Sequence, residues 1–571
     1  MRGQSSESRL QGLIHSLEQG GLAPVFRRLL LAAAVVGIAL AYLLIQFKGL
    51  SSAEGMDQAQ IAREVVAGHG FSTKVIRPLV VAEFEKTKSK IPDILPDTYH
   101  APLHPLMNAA VLTLFRGALT APLDANHPIF AGDRVIAAVG SIFFILSLVV
   151  TYFIGCRLFD SRVALIGCAL ALLSDQLWQF SLSGLPQMLI LFLFSCAAWC
   201  LVAAMQAPEG RQARYLVLLG ILLGLMALSH AATLWIAAGA ILFCGLHFRW
   251  RIRAALIPLL ICLGLFSIWI VRDYAVSKTP FGISPIAFLD NDLLTGGSWM
   301  REAAPDYSTI SFPTVRHRIL DELRNQAGSL YLLLGGIIVA PVFFVSLLHR
   351  FKQSWTAHFR WALLLMWGLA FLGSALLGIN GKSVHANQFN ILFGPLMALY
   401  GVALIFVLWS RLDLPSFVRP VLVGALILVS TFPPLLGFLF RDVRIQFPPY
   451  VPAFMRLFSE WTTPNEVICS DMPWAIAWYS DRKSVWLPSK VQDFFKYGSE
   501  ESAGGPIVGL YLTPVSRDTG LASGIVTGKY SNWAGLIVPL PDAVEKFPFK
   551  AHLAIADNQC LYYSDRERWK R

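Results

Sequence analysis

The sequence predicts a polytopic α-helical membrane protein that ends in a water-soluble α/β domain. Of its 571 residues, 55% are hydrophobic and only 15% charged, and the mean hydropathy is +0.56. A water-soluble fold does not tolerate that balance. The apolar residues are also gathered into runs of about 17–23 residues, each long enough to cross roughly 30 Å of hydrocarbon. These runs stop near residue 440, and the remainder of the chain alternates short amphipathic and β-rich pieces.

Residues 1–28 are polar, and Arg27 and Arg28 abut the first run, 29–47. No small-residue cleavage site follows it, so the run reads as an uncleaved anchor. Further runs at 134–156, 163–180, 185–205, 214–230, 231–247, 254–271, 329–348, 361–378, 389–409 and 420–440 bring the expected number of spans to about eleven. With the N-terminus in the cytoplasm, Arg157, Arg162, Arg211, Arg214, Arg249, Arg251, Arg253, Arg350, Lys352, Arg360, Arg411 and Arg419 all fall in cytoplasmic loops, as the positive-inside rule requires. A twelfth candidate, Pro102 to Leu119, is short, Pro-broken and interrupted by His104 and Arg116. Counting it as a span would turn every basic loop outward, so it is expected to be juxtamembrane or re-entrant.

This topology divides the chain into a membrane domain, 1–440, and an extracytoplasmic α/β domain, 441–571. Loops 48–133, 272–328 and 379–388 share the outer face, which in a bacterium is the periplasmic side of the inner membrane. The net charge of +11 is spread over the short loops; it sets topology and does not form a nucleic-acid-binding patch. Six of the eight cysteines lie in or beside apolar runs. Cys469 and Cys560 lie in the tail, where an oxidising compartment would permit a disulfide between them. Strand-like pieces in the tail are Val467 to Cys469, Ser484 to Leu487, Ile507 to Leu512, Leu536 to Val538 and His552 to Ile555; an amphipathic helix-like stretch carries Phe454, Leu457, Phe458 and Trp461. No internal repeat or inverted symmetry of the transporter kind is visible.

The first outer loop is the most informative segment. It opens Gly55-Met56-Asp57-Gln58-Ala59-Gln60-Ile61-Ala62-Arg63-Glu64, continues Gly68-His69-Gly70-Phe71, and later reads Tyr99-His100-Ala101-Pro102-Leu103-His104-Pro105. An acid just beyond the first span, an amphipathic helix, a Gly-rich turn and a Pro-rich segment follow one another in this order. So arranged, the chain resembles the GT-C membrane glycosyltransferases, in the branch of aminoarabinose transferase and the protein O-mannosyltransferases. Further matches are Arg157-Leu158-Phe159 with Arg162, Trp269-Ile270-Val271-Arg272-Asp273-Tyr274, and Val467 to Tyr479.

The resemblance implies an enzyme that takes a sugar from a polyprenyl-phosphate carrier at the outer face. It would invert the anomeric centre and deliver the sugar to a lipid, glycan or protein acceptor. Asp57 would be the general base, because a sugar hydroxyl is a weak nucleophile that needs a carboxylate to accept its proton. The phosphate leaving group needs no acid but does need cations or donors, for which Lys74, Arg77 and Arg272 are candidates. His100 and His104 would line the cavity, and His230, between two runs, would face the lipid phosphate.

The chain departs from the family pattern where a second acid is expected, since Gln187 stands there and Asp175 nearby is the alternative. Gln58 replaces an acidic companion, and Gln388-Phe389 replaces an Arg-Tyr pair. No metal box is recognisable, although Asp57 could share a divalent cation with phosphate oxygens. A solvated interface acid, a snorkelling Arg272 and loop histidines are the plainer explanations of the same residues. A lipid or sugar transporter, or a non-catalytic binding protein on the same fold, are the rival functions.

Overall fold

The computed structural model describes residues 23–86, 90–123, 127–289, 299–377, 384–412, 415, 417–440, 451–500, 502–517, 525, 527–555 and 560–570. The polar N-terminal residues 1–22 and the start of the tail, 441–450, lie outside the described residues.

Helix α1 (Ala23–Ala41), closed by a π-turn at Tyr42–Gln46, leads into α2 (Ala53–Val66), α3 (Pro78–Lys86) and α4 (Leu103–Leu114) of the first loop. The bundle continues with α5 (Ala131–Leu158), α6 (Ser161–Leu172), α7 (Asp175–Leu182), α8 (Gln187–Gln206), α9 (Glu209–Ser229), α10 (Leu234–His247) and α11 (Ile252–Ser277). It ends with α12 (Phe312–Gly328), α13 (Ser354–Leu377), α14 (Gly394–Arg411) and α15 (Val418–Phe440). Among the described residues, seven helices are long and apolar enough to cross a membrane, or eight if α6 and α7, bent by 60°, count as one span.

Fewer segments qualify than the eleven expected, because several apolar runs are not continuous helices. The run 163–180 breaks at Ser174, whose Oγ accepts from Leu177 N at 3.1 Å and so caps α7. The run 231–247 starts as a 3₁₀ turn, Ala231–Thr233, leaving α10 short. In 329–348 only Leu330–Leu333 and Val342–Ser346 are helical, because Gly335 and Gly336 take positive φ and Pro341 follows. That broken segment still traverses the bundle. Gly335 accepts from Ser174 beyond the C-terminal end of α6, whereas Thr356 donates to Leu158 O at 2.8 Å, just before α6 begins. The Pro102–Leu119 candidate forms only the twelve-residue α4 and a four-residue turn, about 18 Å of helix at 1.5 Å per residue.

The first loop and the tail share one sheet. In the loop, β1 (Ser72–Thr73) pairs antiparallel with β3 (Leu95–Pro96), and β2 (Val75–Ile76) lies between them in sequence. In the tail, β4 (Val467–Ser470), β5 (Lys483–Trp486), β6 (Ile507–Leu512), β7 (Ala551–Ile555) and β8 (Cys560–Ser564) join β2 in a six-stranded sheet of order β2-β5-β4-β6-β8-β7. The four strands from β2 to β6 run parallel, and β8 and β7 are antiparallel. Helix α16 (Pro452–Trp461) packs Phe458 on Tyr511 and Tyr562 of this sheet. Leu536 to Val538, strand-like in sequence, instead ends a short helix, Ala534–Ile537. No disulfide joins Cys469 to Cys560: β6 lies between their strands, so they stand roughly 10 Å apart, beyond disulfide reach.

Buried polar contacts tie the tail to the rest of the chain. Trp478 Nε1 and Tyr479 Oη donate to the two Asp133 oxygens at the start of α5, at 2.6 and 2.8 Å, and Arg63 of α2 donates to Trp478 O at 2.6 Å.

Candidate active site

Helix α2 starts where Ser52 Oγ accepts from Gly55 N, a conventional N-cap that leaves Glu54 in the first turn. Residues three and four apart share a helix face, so Glu54, Asp57 and Gln58 project together. Gly55 lies flat against the loop before α8: a Cβ there would come within 2.4 Å of Ser183 O. The β1–β3 ladder then brings residues 71–77 alongside 95–100, two segments that sequence separation alone does not pair.

At this junction three carboxylates and two cations meet. Arg77 Nη2 lies 2.6 Å from Asp57 Oδ2, and Arg77 Nη1 is 3.8 Å from Asp97 Oδ1. His100 Nε2 is 3.0 Å from Glu54 Oε1 and 3.6 Å from Asp57 Oδ2, while its Nδ1 is 3.2 Å from Asp97 Oδ2. Asp97 Oδ2 also accepts from the backbone N–H groups of Tyr99 and His100, an Asx turn that aims the imidazole. The Arg77 guanidinium lies 4.4 Å from the centroid of the Tyr99 ring, and Gln60 donates to Asp57 Oδ1 at 3.2 Å.

The protonation pattern is set by this geometry. Burial would lower His100, but Glu54, Asp97 and Asp57 outweigh it and raise it well above 6.5. Burial would raise Glu54 and Asp97, yet His100 and Arg77 hold each at about 2. Asp57 differs: burial raises its carboxyl above 3.8 against Arg77 and His100, with Glu54 and Asp97 adding to the rise. Two cations against three carboxylates leave one negative charge, and Asp57 is the member whose proton affinity is raised.

Asp57, Arg77 and His100 therefore converge. His104 adjoins them: its Nδ1 is 2.6 Å from Gln58 Oε1, and Gln58 donates to Glu54. Burial, with His100 nearby, lowers His104 to about 3. Lys74 turns the other way, its Nζ 2.9 Å from Glu64 and 2.5 Å from Asp481. Arg272 grips backbone, donating to Asp97 O and, at 3.1 Å, to Phe71 O, so it clasps both sides of the β1–β3 ladder. His230 caps the 3₁₀ turn before α10, its Nδ1 accepting from Ala232 N at 3.2 Å, and its ring lies 4.8 Å from that of Phe389. Asp175 begins α7 and accepts from Tyr42 and Gln179. It lies at the other end of that helix from Ser183, about 10 Å of helix away.

Glu54 and Asp97 are members of the cluster that the sequence pattern did not single out. Glu54 was legible as the i−3 partner of Asp57, and Asp97 as the first residue of Asp97-Thr98-Tyr99-His100, an Asx-turn pattern. Among the described residues no group of three or more His, Cys, Asp or Glu side chains is disposed to hold a metal ion.

The bundle, with its charged first-loop cluster and appended sheet, has the fold of the GT-C membrane glycosyltransferases. The particular structures it is similar to are ArnT from Cupriavidus metallidurans and the Archaeoglobus fulgidus oligosaccharyltransferase. Against ArnT bound to undecaprenyl phosphate the TM-score is 0.54 at 11% identity, over 96% of this chain and 99% of that one. Against ArnT in the apo state it is 0.56 at 13% identity, over 95% and 98%. Against the oligosaccharyltransferase in complex with zinc and sulfate it is 0.53 at 14% identity, over 88% and 70%. At these identities the likeness is one of fold. No protein-family model and no curated protein sequence matches the chain.

Proposed function

We propose that the chain is an inverting glycosyltransferase that moves a sugar from a polyprenyl-phosphate carrier to a lipid, glycan or protein acceptor at the outer face of a bacterial inner membrane. The observation that carries this reading is the cluster of buried Asp57, Arg77, Asp97 and His100 with the partly exposed Glu54, on a fold whose ArnT neighbour is solved with undecaprenyl phosphate.

Asp57 accepts the proton of the acceptor hydroxyl as its oxygen forms a bond to the anomeric carbon. The bond from that carbon to the phosphate oxygen breaks, and its electron pair leaves with the polyprenyl phosphate. A carboxylate of raised proton affinity suits this role better than one held at about 2. Arg77 offers the planar fork matched to phosphate oxygens, and His230 stands at the break between α9 and α10 where a carrier arrives from the bilayer. Lys74 and Arg272 act as positioning residues, fixing the loop to the tail and the ladder to α11.

Asp57→Asn lowers transfer by about 10² to 10⁴ while undecaprenyl phosphate still binds, and Asp175→Asn leaves transfer near wild type. Glu54 is the second candidate base, because its side chain is 24% exposed against 5% for Asp57. If Glu54→Gln is the inactive variant and Asp57→Asn is not, the roles exchange. Full transfer in both removes the carboxylate mechanism.

A further inference from the structure

The turn before α14 gathers carboxamides, several of whose buried polar atoms have no partner among the described residues. Gln187 opens α8 and donates to His385 O at 3.3 Å and Ala386 O at 2.5 Å, which holds the 385–390 turn against it. Two residues on, Gln388 is fully buried, and among the described residues neither its Oε1 nor its Nε2 has a hydrogen-bond partner. Asn390 donates to Gln326 of α12 at 3.3 Å. Among the described residues that pairing leaves Asn390 Oδ1 and Gln326 Nε2 unpartnered, as is Gln187 Oε1. All four residues are 2% exposed or less.

A buried amide without a partner is unfavourable, and native chains keep few such groups. Several around one turn suit a place where a bound group completes the hydrogen bonds. What they can accept is constrained. A carboxamide presents a donor and an acceptor side by side, as a sugar hydroxyl does, and it carries no charge with which to attract phosphate. The same turn reaches the charged cluster, since His385 lies within electrostatic range of Glu54, and Phe389 stacks edge-on against His230.

We propose that Gln187, Gln326, Gln388 and Asn390 form the subsite that binds the hydroxyls of the sugar on the carrier and so determines which sugar is used. This rests on the glycosyltransferase reading and assigns the donor sugar to a neutral, amide-lined place separate from the carboxylates and cations of the chemistry.

The test uses the full chain in detergent, as wild type, Gln388→Leu and Gln187→Leu. Binding is measured for bare undecaprenyl phosphate and for undecaprenyl phosphate loaded with glucose, mannose or aminoarabinose. The wild type prefers one loaded carrier over the bare one by about tenfold or more, since a site built to pair hydroxyls is left with unpaired groups when they are missing. Both variants lose that preference and bind bare carrier within twofold of wild type. Gln388→Leu melts no lower, because among the described residues its amide atoms have no partner, whereas Gln187→Leu gives up its bonds to His385 O and Ala386 O and melts lower. Variants that keep the preference or lose bare-carrier binding to the same extent, or a Gln388→Leu that melts clearly lower, overturn the subsite and assign the amides to packing. If the wild type binds none of the carriers, the glycosyltransferase reading itself falls. If it transfers sugar while Gln388→Leu keeps the preference, only the subsite falls.

Discussion

Arg77 and Asp57 hold each other in a place that neither would occupy alone. Removing one partner of a buried pair leaves an uncompensated charge, typically a loss of about 3–5 kcal/mol. Arg77→Met should therefore lower stability far more than Lys74→Met, whose partly exposed ammonium contributes less; thermal melts of the two variants make the comparison. The cluster also sets a pH window. His100, raised well above 6.5, contributes stability that is complete below its unfolded value and is lost as pH rises through its folded one. Glu54 and Asp97, held at about 2, contribute stability present above about pH 4 and lost as pH falls toward 2. Melting temperature against pH should thus fall on both sides, and His100→Gln should remove the alkaline fall. Activity reports a different group: with Asp57 as base, kcat drops on the acid side at a pH above 3.8, whereas an acid limb near 2 would assign the base to Glu54.

Each functional side chain depends on how its element was built, and here the sequence was partly legible. The helical spacing of Glu54, Asp57 and Gln58 could be read directly, since α2 obeys its cap and its period. Lys74 and Arg77 looked equivalent in sequence, yet they stand three apart on either side of the extended β2. An odd separation along a strand sends side chains to opposite faces, and their different partners, Asp481 and Asp57, result from that. Asp97 was not legible as a partner of Arg77, because β1 and β3 are two residues each and leave no periodic trace. The strands at Val467–Ser470 and Ile507–Leu512 lie where β-rich runs suggested, whereas 329–348 was apolar enough for a helix and was broken by its glycines and proline. The closest tolerance in α2 is at Gly55. Gly55→Ala pushes the helix off Ser183 O, a shift expected to lower stability by about 1–3 kcal/mol and to reduce transfer by moving Glu54 and Asp57 together. Gly70→Ala, where a Cβ meets nothing within 4 Å but φ is +71°, strains the turn without moving that face. Comparing transfer by the two at matched stability separates the effects.

At the scale of the molecule, the basic turns agree with one another. Leu158 beside Arg157 meets Thr356, and Phe159 packs on Phe351 and Tyr400, so the basic segments 157–162 and 350–360 share one face of the bundle, as a single cytoplasmic side requires. A reporter active only outside the cytoplasm, fused after Arg571, is expected to be active; signal from a cytoplasm-only reporter at that point reverses the orientation. The strand β2 gives the same architecture a history in time. Val75 and Ile76 are made early, but β5, against which they pair, is made only after about 400 further residues (483 minus 76). At a synthesis rate of roughly 5–20 residues per second, that is a wait of about 20–80 seconds. Throughout it Asp57, Arg77 and Asp97 are on a first loop whose strand β2 still lacks its partner β5. The side of the site that rests on β2 is thus completed only when the last segment of the chain is made. With the first loop on the outer face, as proposed, a polypeptide stalled before residue 467 should show a first loop that external protease cuts, and release of the stall should protect it.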